Sequence, residues 1–469
     1  MSTGPLRETR RFYLAAWRWH FYAGLFVVPF LLVLAATGLV MLLSQPIDAV
    51  RHRDWLRVAP AGTPLSPEEQ VRRVAAAYPE ATVAMYIPPP EPDRSAQVSI
   101  VPGHGAGGHT GHGGEASLTV YVDPYSGSVL GSQDPLRTAY GWANAVHGTL
   151  LMGTFGELLI EVAAGFGVLL VATGLFLWWP RDGERAVFRP KVRGRRRLGW
   201  RALHAAVGIW SSGILAFFLL SGLAWTLIWG GRLVQGFNSL PPAQMESPGA
   251  ALTHESLNHG PLRQVPWVLE QTRMPSSGTL HGLDGIPEGM PVSLNTVVAF
   301  ARDNGFTGYR VNFPRDSLGV WTVAAATMSK DVADPRRDRT LHLDQYTGRV
   351  LADYPFAEYP WMGKAMAAGI SLHQGNLGPV NLVANVLFCL AVIALCVSGV
   401  VMWWMRRPAG VRRLVPPPMP KDVRTWRRAA VLMLVISLAF PLVALTLAVV
   451  ALLDFGIISR VPALRTVLK

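Results

Sequence analysis

"WRWHFYAGLFVVPFLLVLAATGLVMLL", residues 17–43, sets the terms for the whole chain. From Phe21 to Leu43 it carries no charged side chain. About 20 apolar residues in a helix cross the roughly 30 Å hydrocarbon core of a bilayer, so the stretch reads as a membrane span. His20 stands at its mouth. Such a histidine is an anchor among headgroups, a buried polar group with a partner, or a ligand. The stretch "WRALHAAVGIW", residues 200–210, places His204 in a matching setting.

Working outward, the 469 residues are 50% hydrophobic, too apolar for an ordinary soluble protein and too long for one domain. Spans are expected near 18–43, 157–179, 204–229, 380–404 and 429–453. The first is too long for a signal-peptide core and lacks a cleavage site, so it reads as a retained helix. Sixteen tryptophans suit interfacial belts. The net charge of +13 is clustered at span ends. Arg7, Arg10, Arg11 and Arg18 precede the first span. Nine basic residues lie in 180–203 and eight in 405–428. These segments are expected on the cytoplasmic side of a bacterial inner membrane, with residues 1–17. The charge is therefore a topology signal, not a nucleic-acid signal. Residues 44–156, 230–379 and the C-terminal 454–469 are then expected in the periplasm. Cys389 and Cys396 fall seven apart in one span, about 10 Å along a helix. That is too far for a disulfide, and they read as packing residues.

The two large outer segments should fold as α+β modules, over 44–137 and 230–359, with interfacial segments leading into the second and fourth spans from 138 and 360. In the first, "SPEEQVRRVAAAYP" (66–79) predicts a helix with Ser66 as N-cap and Glu69 three residues on. Strand-like alternation follows in "AQVSIVPG" and "SLTVYVDPYSGSVLG". In the second, "SLNTVVAFARDNGF" (293–306) predicts a helix stopped by Gly305. It precedes "GYRVNFP", "GVWTVAAAT" and "RTLHLDQYTGRVLADY".

A repeat organises the rest. Asp123-Pro-Tyr-Ser-Gly matches Asp344-Gln-Tyr-Thr-Gly. His147 in "AVHGTLLMG" matches His373 in "SLHQGNLG", and Trp178-Trp179 matches Trp403-Trp404. His20 matches His204, with Gly24 and Gly208 four residues on, and Thr37-Gly38 and Ser221-Gly222 deep in the spans. Spans two and four carry Thr173-Gly174 and Ser398-Gly399. The unit is His, span, outer module, His, span, Trp-Trp, occurring twice, with the fifth span as an accessory.

His20 and Gly38 are 18 residues apart, five helical turns, and so share a face, as do His204 and Gly222. Glycine on that face lets a flat group or another helix come close. By the expected topology His20 and His204 lie at the cytoplasmic edge, and His147 and His373 at the periplasmic edge. Each pair supplies two axial imidazoles for one haem, which together make an electron wire across the bilayer. The plainer reading is four interfacial anchors and close helix packing. Matched duplication favours ligation, since ionisable residues facing a membrane bundle are usually functional. Spacing alone does not separate haem from a bare metal ion. CxxCH is absent, so covalent c-type attachment is excluded.

With "WRWHFYAGL", "TVYVDPYSGSVLG", "AVHGTLLMG", "GLFLWWPR", "WRALHAAVGIW", "LHLDQYTGRVLADY", "SLHQGNLG" and "GVVMWWMRRP", the chain resembles the PepSY-associated transmembrane helix family over about residues 10–407. That family includes ferric-siderophore reductases. The resemblance implies two periplasmic PepSY modules and two b-type haems on His20, His204, His147 and His373. It also implies outward electron flow that releases iron from a chelate. The fifth span departs from the pattern.

Other residues are secondary. "GHGAGGHTGHGG" (103–114) gives His104, His109 and His112 a chance of gathering metal, against a plain solvated loop. His254, His259 and His281 read as surface residues. Glu157 and Glu161 read as facing headgroups or water. No Rossmann fingerprint, Walker A motif, GxSxG or HExxH occurs. Electrons must then come from quinol or a cytoplasmic redox protein. Two other readings stand beside the reductase: a membrane-anchored PepSY module that controls a periplasmic peptidase or sensor, and a metal or chelate transporter. An apparent lack of buried charge in the spans counts against the transporter.

Overall fold

The computed structural model describes residues 5–103, 117–179, 197–237, 240, 252–258, 264–279, 281–408, 410, 414–418, 431, 435, 438–458 and 460–461. In chain order the helices are α1 (Pro5–Arg51), α2 (Arg53–Leu56), α3 (Pro67–Ala77), α4 (Ala139–Thr149), α5 (Gly153–Trp178), α6 (Arg197–Leu223), α7 (Leu294–Asp303), α8 (Trp361–Gln374), α9 (Pro379–Arg406) and α10 (Pro441–Leu453). The strands are β1 (Thr82–Ile87), β2 (Ala96–Val101), β3 (Leu118–Val122), β4 (Val129–Gln133), β5 (Arg310–Asn312), β6 (Val320–Ala325), β7 (Arg339–Asp344) and β8 (Val350–Pro355). The chain divides into two compact units. One takes residues 1–39, 146–234 and 384–469, the other 40–145 and 235–383.

The first unit is helical. Among the described residues, four helices are long and apolar enough to cross a membrane: α1 from Phe12, α5, α6 and α9. The third differs from the expected 204–229. Regular helix starts at Arg197, stops at Leu223 and gives way to a π-helical turn over Trp229–Val234. Of the expected fifth span over 429–453, residues 429, 430, 432–434, 436 and 437 lie outside the described residues; Pro441 opens α10 after a turn at Ala439 and Phe440. Proline suits a first helical turn, where its missing N–H costs nothing. The 13 residues of α10 reach about 20 Å, short of the hydrocarbon core.

In the second unit the two expected modules are one sheet. Strand order is β4-β3-β2-β1-β5-β6-β7-β8, antiparallel throughout. The join is short: Met85 pairs with Asn312, Tyr86 with Val311, and the Phe313 N–H reaches the Ala84 carbonyl at 3.0 Å. Each four-stranded half would otherwise leave a bare edge of N–H and C=O groups, and joining edges satisfies both. β1, "TVAMYI", was the strand missing from the sequence reading.

Both halves form their helices as expected. The Ser66 hydroxyl accepts from the Glu69 N–H at 3.3 Å and starts α3. Ser293 and Thr296 form a reciprocal capping box on α7. The apolar sides of α3 and α7 share one core with the sheet, centred on Val74, Val98, Val120, Val297, Val311 and Val323. Asn295 and Glu68 tie the two helices together. The matched turns are alike: Asp123 and Asp344 each accept the N–H two residues on at 2.8 Å. Gly127 and Gly348 then take φ of +73° and +68°, which favours glycine.

Candidate functional site

The helical unit is organised around its histidines. His20 Nδ1 lies 3.0 Å from Thr173 Oγ1, so α1 meets α5. His147 Nδ1 lies 2.9 Å from Thr37 Oγ1, so the last turn of α4 meets α1. His204 Nδ1 lies 2.9 Å from Ser398 Oγ, so α6 meets α9. The small polar residue of three of the four Thr-Gly or Ser-Gly pairs, at Thr173, Thr37 and Ser398, therefore holds a histidine from a different helix.

The hydroxyls fix the protonation of the rings. Thr173 donates to the Leu169 carbonyl at 2.7 Å and Thr37 to the Val33 carbonyl at 2.8 Å. Ser398 donates to the Leu395 carbonyl at 3.0 Å. A hydroxyl has one proton. With that proton on the helix backbone, the oxygen accepts from the histidine. Nδ1 then carries hydrogen, and Nε2 is left with a bare lone pair, the form that ligates a metal. The glycine beside each hydroxyl admits the ring. A Cβ on Gly174 would stand 3.3 Å from His20 Cε1, one on Gly399 3.7 Å from His204 Cε1, and one on Gly38 3.9 Å from His147 Cε1.

This corrects the reading of Gly38 and Gly222. Gly38 serves His147, and Cys389 Sγ lies 3.5 Å from where its Cβ would be. Eighteen residues of helix separate a histidine from the glycine below it by about 27 Å, so the two share a face but not a site. Nothing stands within 4 Å of the corresponding point on Gly222. Gly24 and Gly208 admit a neighbouring helix: Leu170 and Leu395 lie 3.8 and 3.7 Å away.

His20 and His204 lie together, ring centres 6.4 Å apart and planes at 90°. Two imidazoles on opposite sides of one metal ion, with bonds of about 2 Å, hold their ring centres about 6.4 Å apart. Among the described residues, no group of three or more His, Cys, Asp or Glu side chains could hold a metal ion. His147 sits before a tight turn in which Leu150 and Leu151 take φ of 51° and 59°. His373 occupies the last turn of α8, in the sheet-bearing unit, before left-handed Gly375. His104, His109, His112 and His259 lie outside the described residues.

Two expectations for polar residues need correction. Glu161 is 3% exposed, and its carboxylate accepts the N–H groups of Ile228 and Trp229 at 3.0 and 3.2 Å. It is a buried charge in a span, and it satisfies the backbone where α6 breaks. A carboxylate on α5 was not legible as a cap for a segment so distant in sequence. His281 is exposed, but His254 is fully buried. Its Nε2 lies 2.8 Å from Nε2 of His342, also fully buried. His254 Nδ1 meets the Thr272 carbonyl at 2.7 Å, and His342 Nδ1 meets Thr322 Oγ1 at 2.9 Å. Burial lowers His254 to about 4 and holds His342 well below the usual imidazole range, with the nearby His254 adding to the effect. Asp338, also in the sheet unit, is pushed up to about 7 by burial.

Residues 17–406 match the family of the PepSY-associated TM region, and the chain belongs to that family. It is thus a membrane protein of the PepSY-associated class. No curated protein matches the chain.

Proposed function

We propose that the protein is a two-haem conduit in the bacterial inner membrane that passes electrons to the periplasm and reduces a ferric siderophore or another metal chelate there. The observation that carries this reading is the His20–His204 pair, with ring centres 6.4 Å apart and the Nδ1 of each ring committed to a hydroxyl. A haem held there would supply one-electron chemistry, with His20 and His204 as its protein ligands. His20 and His204 hold the haem at the cytoplasmic side. His147 and His373 are the matching ligands for the haem at the periplasmic side. Thr173, Ser398 and Thr37 orient their rings, keep hydrogen on Nδ1 and raise the donor strength of Nε2. The apolar helices around them exclude water. Basic residues at the span ends set the N-terminus in the cytoplasm. Quinol or a cytoplasmic redox protein supplies the electrons. His104, His109 and His112 are candidate contacts for the metal substrate.

The test is a visible spectrum of the purified protein, oxidised and dithionite-reduced, after haem-replete expression. Soret and α bands are expected, with about two haems per chain by pyridine haemochrome. His20→Ala and His204→Ala should remove one and the same haem, and His147→Ala and His373→Ala the other. A wild-type protein without haem bands would overturn the reading. Four unrelated effects would overturn the pairing.

A further inference from the structure

The end of the helical unit beyond the His20–His204 pair holds cations that, among the described residues, no carboxylate answers. Arg406 closes α9. Its Nη2 donates to the Val415 carbonyl at 2.5 Å, and its guanidinium lies 5.3 Å from the Trp17 ring centre and 5.1 Å from that of Phe21. Its Nε is buried and has no hydrogen-bond partner. Arg197, exposed, stands at the start of α6. Arg18 is already engaged, by the Pro417 carbonyl at 2.6 Å and the Tyr22 hydroxyl at 3.1 Å. Among the described residues none of these arginines forms an ion pair. Holding a charged group with a donor buried and unmet is costly unless an anion joins it.

Their placement says which anion. Phe21 follows His20, and Trp17 lies about one turn before it. Arg197 is two turns ahead of His204 on the same face of α6, about 10 Å along the axis. Arg406 lies about two turns beyond Ser398, the partner of His204. Three helices that frame the histidine pair thus bring cations to its near side. A phospholipid phosphate is the competing anion. It would reach the exposed flank of the helices, whereas Arg406 Nε is buried and its guanidinium lies against rings of α1.

We propose that Arg406 and Arg197 form a carboxylate clamp for the propionates of the haem held by His20 and His204, an inference that rests on the haem reading above. A guanidinium fork matches a carboxylate in two hydrogen bonds, and Nε is one of its donors. The clamp sets the rotation of the ring about the histidine axis. Its positive charge also favours the reduced iron, which carries one charge less.

The test is a redox titration of the full-length protein, following both haems optically, for wild type, Arg406→Gln and Arg406→Lys. Arg406→Gln should move one midpoint potential negative, alter the propionate bands in the infrared difference spectrum, and leave the second haem as it was. Arg406→Lys, which keeps the charge but not the fork, should keep most of the potential and still alter the bands. The haem that shifts should be the one lost in His20→Ala. Unchanged potentials and bands in Arg406→Gln, or a shift of the other haem, would overturn the clamp. Loss of co-purified anionic lipid from Arg406→Gln with both haem readouts unchanged would overturn it too, and assign the arginines to lipid phosphate. If Arg406→Gln does not assemble, the bands of Arg406→Lys decide, and unchanged bands sink the clamp. A haem-free wild type takes the haem reading down as well, so the two failures are distinct.

Discussion

His20 and His204 lie with ring centres 6.4 Å apart, while His254 and His342 touch, Nε2 to Nε2, at 2.8 Å. Both pairs are withdrawn from solvent and both bring together histidines distant in sequence. What separates them is the partner of each Nδ1. Around His20 and His204 the hydroxyl protons belong to helix carbonyls, so both rings donate from Nδ1 and both Nε2 atoms are bare. At the other pair the proton order runs one way. His254 donates from Nδ1 to the Thr272 carbonyl, so its Nε2 accepts from His342, whose Nδ1 in turn accepts from Thr322. That chain uses every ring nitrogen and leaves no lone pair for a ligand. A metal between two imidazoles needs Nε2 atoms about 4 Å apart. One pair is open for ligation and the other is a closed joint between the 254–272 segment and the sheet.

The largest test of this contrast is to remove one ring from each pair. On the proposed reading, His20→Ala abolishes one haem and leaves the sheet unit intact. His254→Ala should leave haem content unchanged and destabilise the sheet unit by about 3 kcal/mol, from a cavity and an orphaned His342 donor. Haemochrome assay and denaturant unfolding read the two. Haem loss in His254→Ala would erase the distinction.

Next in size is the hydroxyl. Thr173→Val removes the acceptor for His20 Nδ1 and should weaken haem binding about 10–100-fold, as loss of an outer-shell partner commonly does. Ser398→Ala should act alike through His204. Thr322→Val at the closed pair should cost about 1–2 kcal/mol of stability and no haem. Retention assays that show full haem affinity in Thr173→Val would break the tautomer argument.

Acid is a gentler probe. Burial lowers His254 to about 4 and holds His342 well below the usual imidazole range in the folded protein, against about 6.5 unfolded. A lowered folded pKa means that the unfolded state binds the proton first. The stabilisation is therefore complete above about pH 6.5 and is lost as pH falls toward about 4. The loss should be on the order of 2–3 kcal/mol. Thermal melts of the sheet unit at pH 7 and pH 5 should show it, and a His254→Ala protein should keep only the part that the burial of His342 contributes.

The smallest effect has the opposite sign. Asp338 is raised to about 7, so its contribution is present at low pH and lost as pH rises through about 7. Asp338→Asn should stabilise the sheet unit by about 1 kcal/mol at pH 8 and less at pH 5. Equal melts at both pH values would show that Asp338 does not titrate there.

The legibility of these features follows from how local they are. Ser66, Ser293 and the two Asp-x-Tyr-x-Gly turns act within a few residues, and each forms as read. His20 and His204 were legible as a match because a motif and its glycine repeat in order. Gly38 and Gly222 were misassigned because helical phase gives the face and says nothing of depth. His254 looked like a surface residue in a Pro/Gly-rich stretch, since its partner His342 is 88 residues away. Glu161 was misjudged for the same reason: the N–H groups it serves are exposed only because α6 stops at Leu223.

The sequence by itself determined the membrane helices, the class of the outer strands, the capped helices and the set of histidines worth testing. These follow from apolar length, alternation and short-range capping, all carried by neighbours in the chain. Only the tertiary structure decided that β1 and β5 fuse the two halves into one sheet, and which hydroxyl holds which imidazole. It also decided which histidine pair has free lone pairs. Those outcomes depend on hydrogen bonds between groups far apart in sequence, whose donors and acceptors are matched only after the helices and strands have packed.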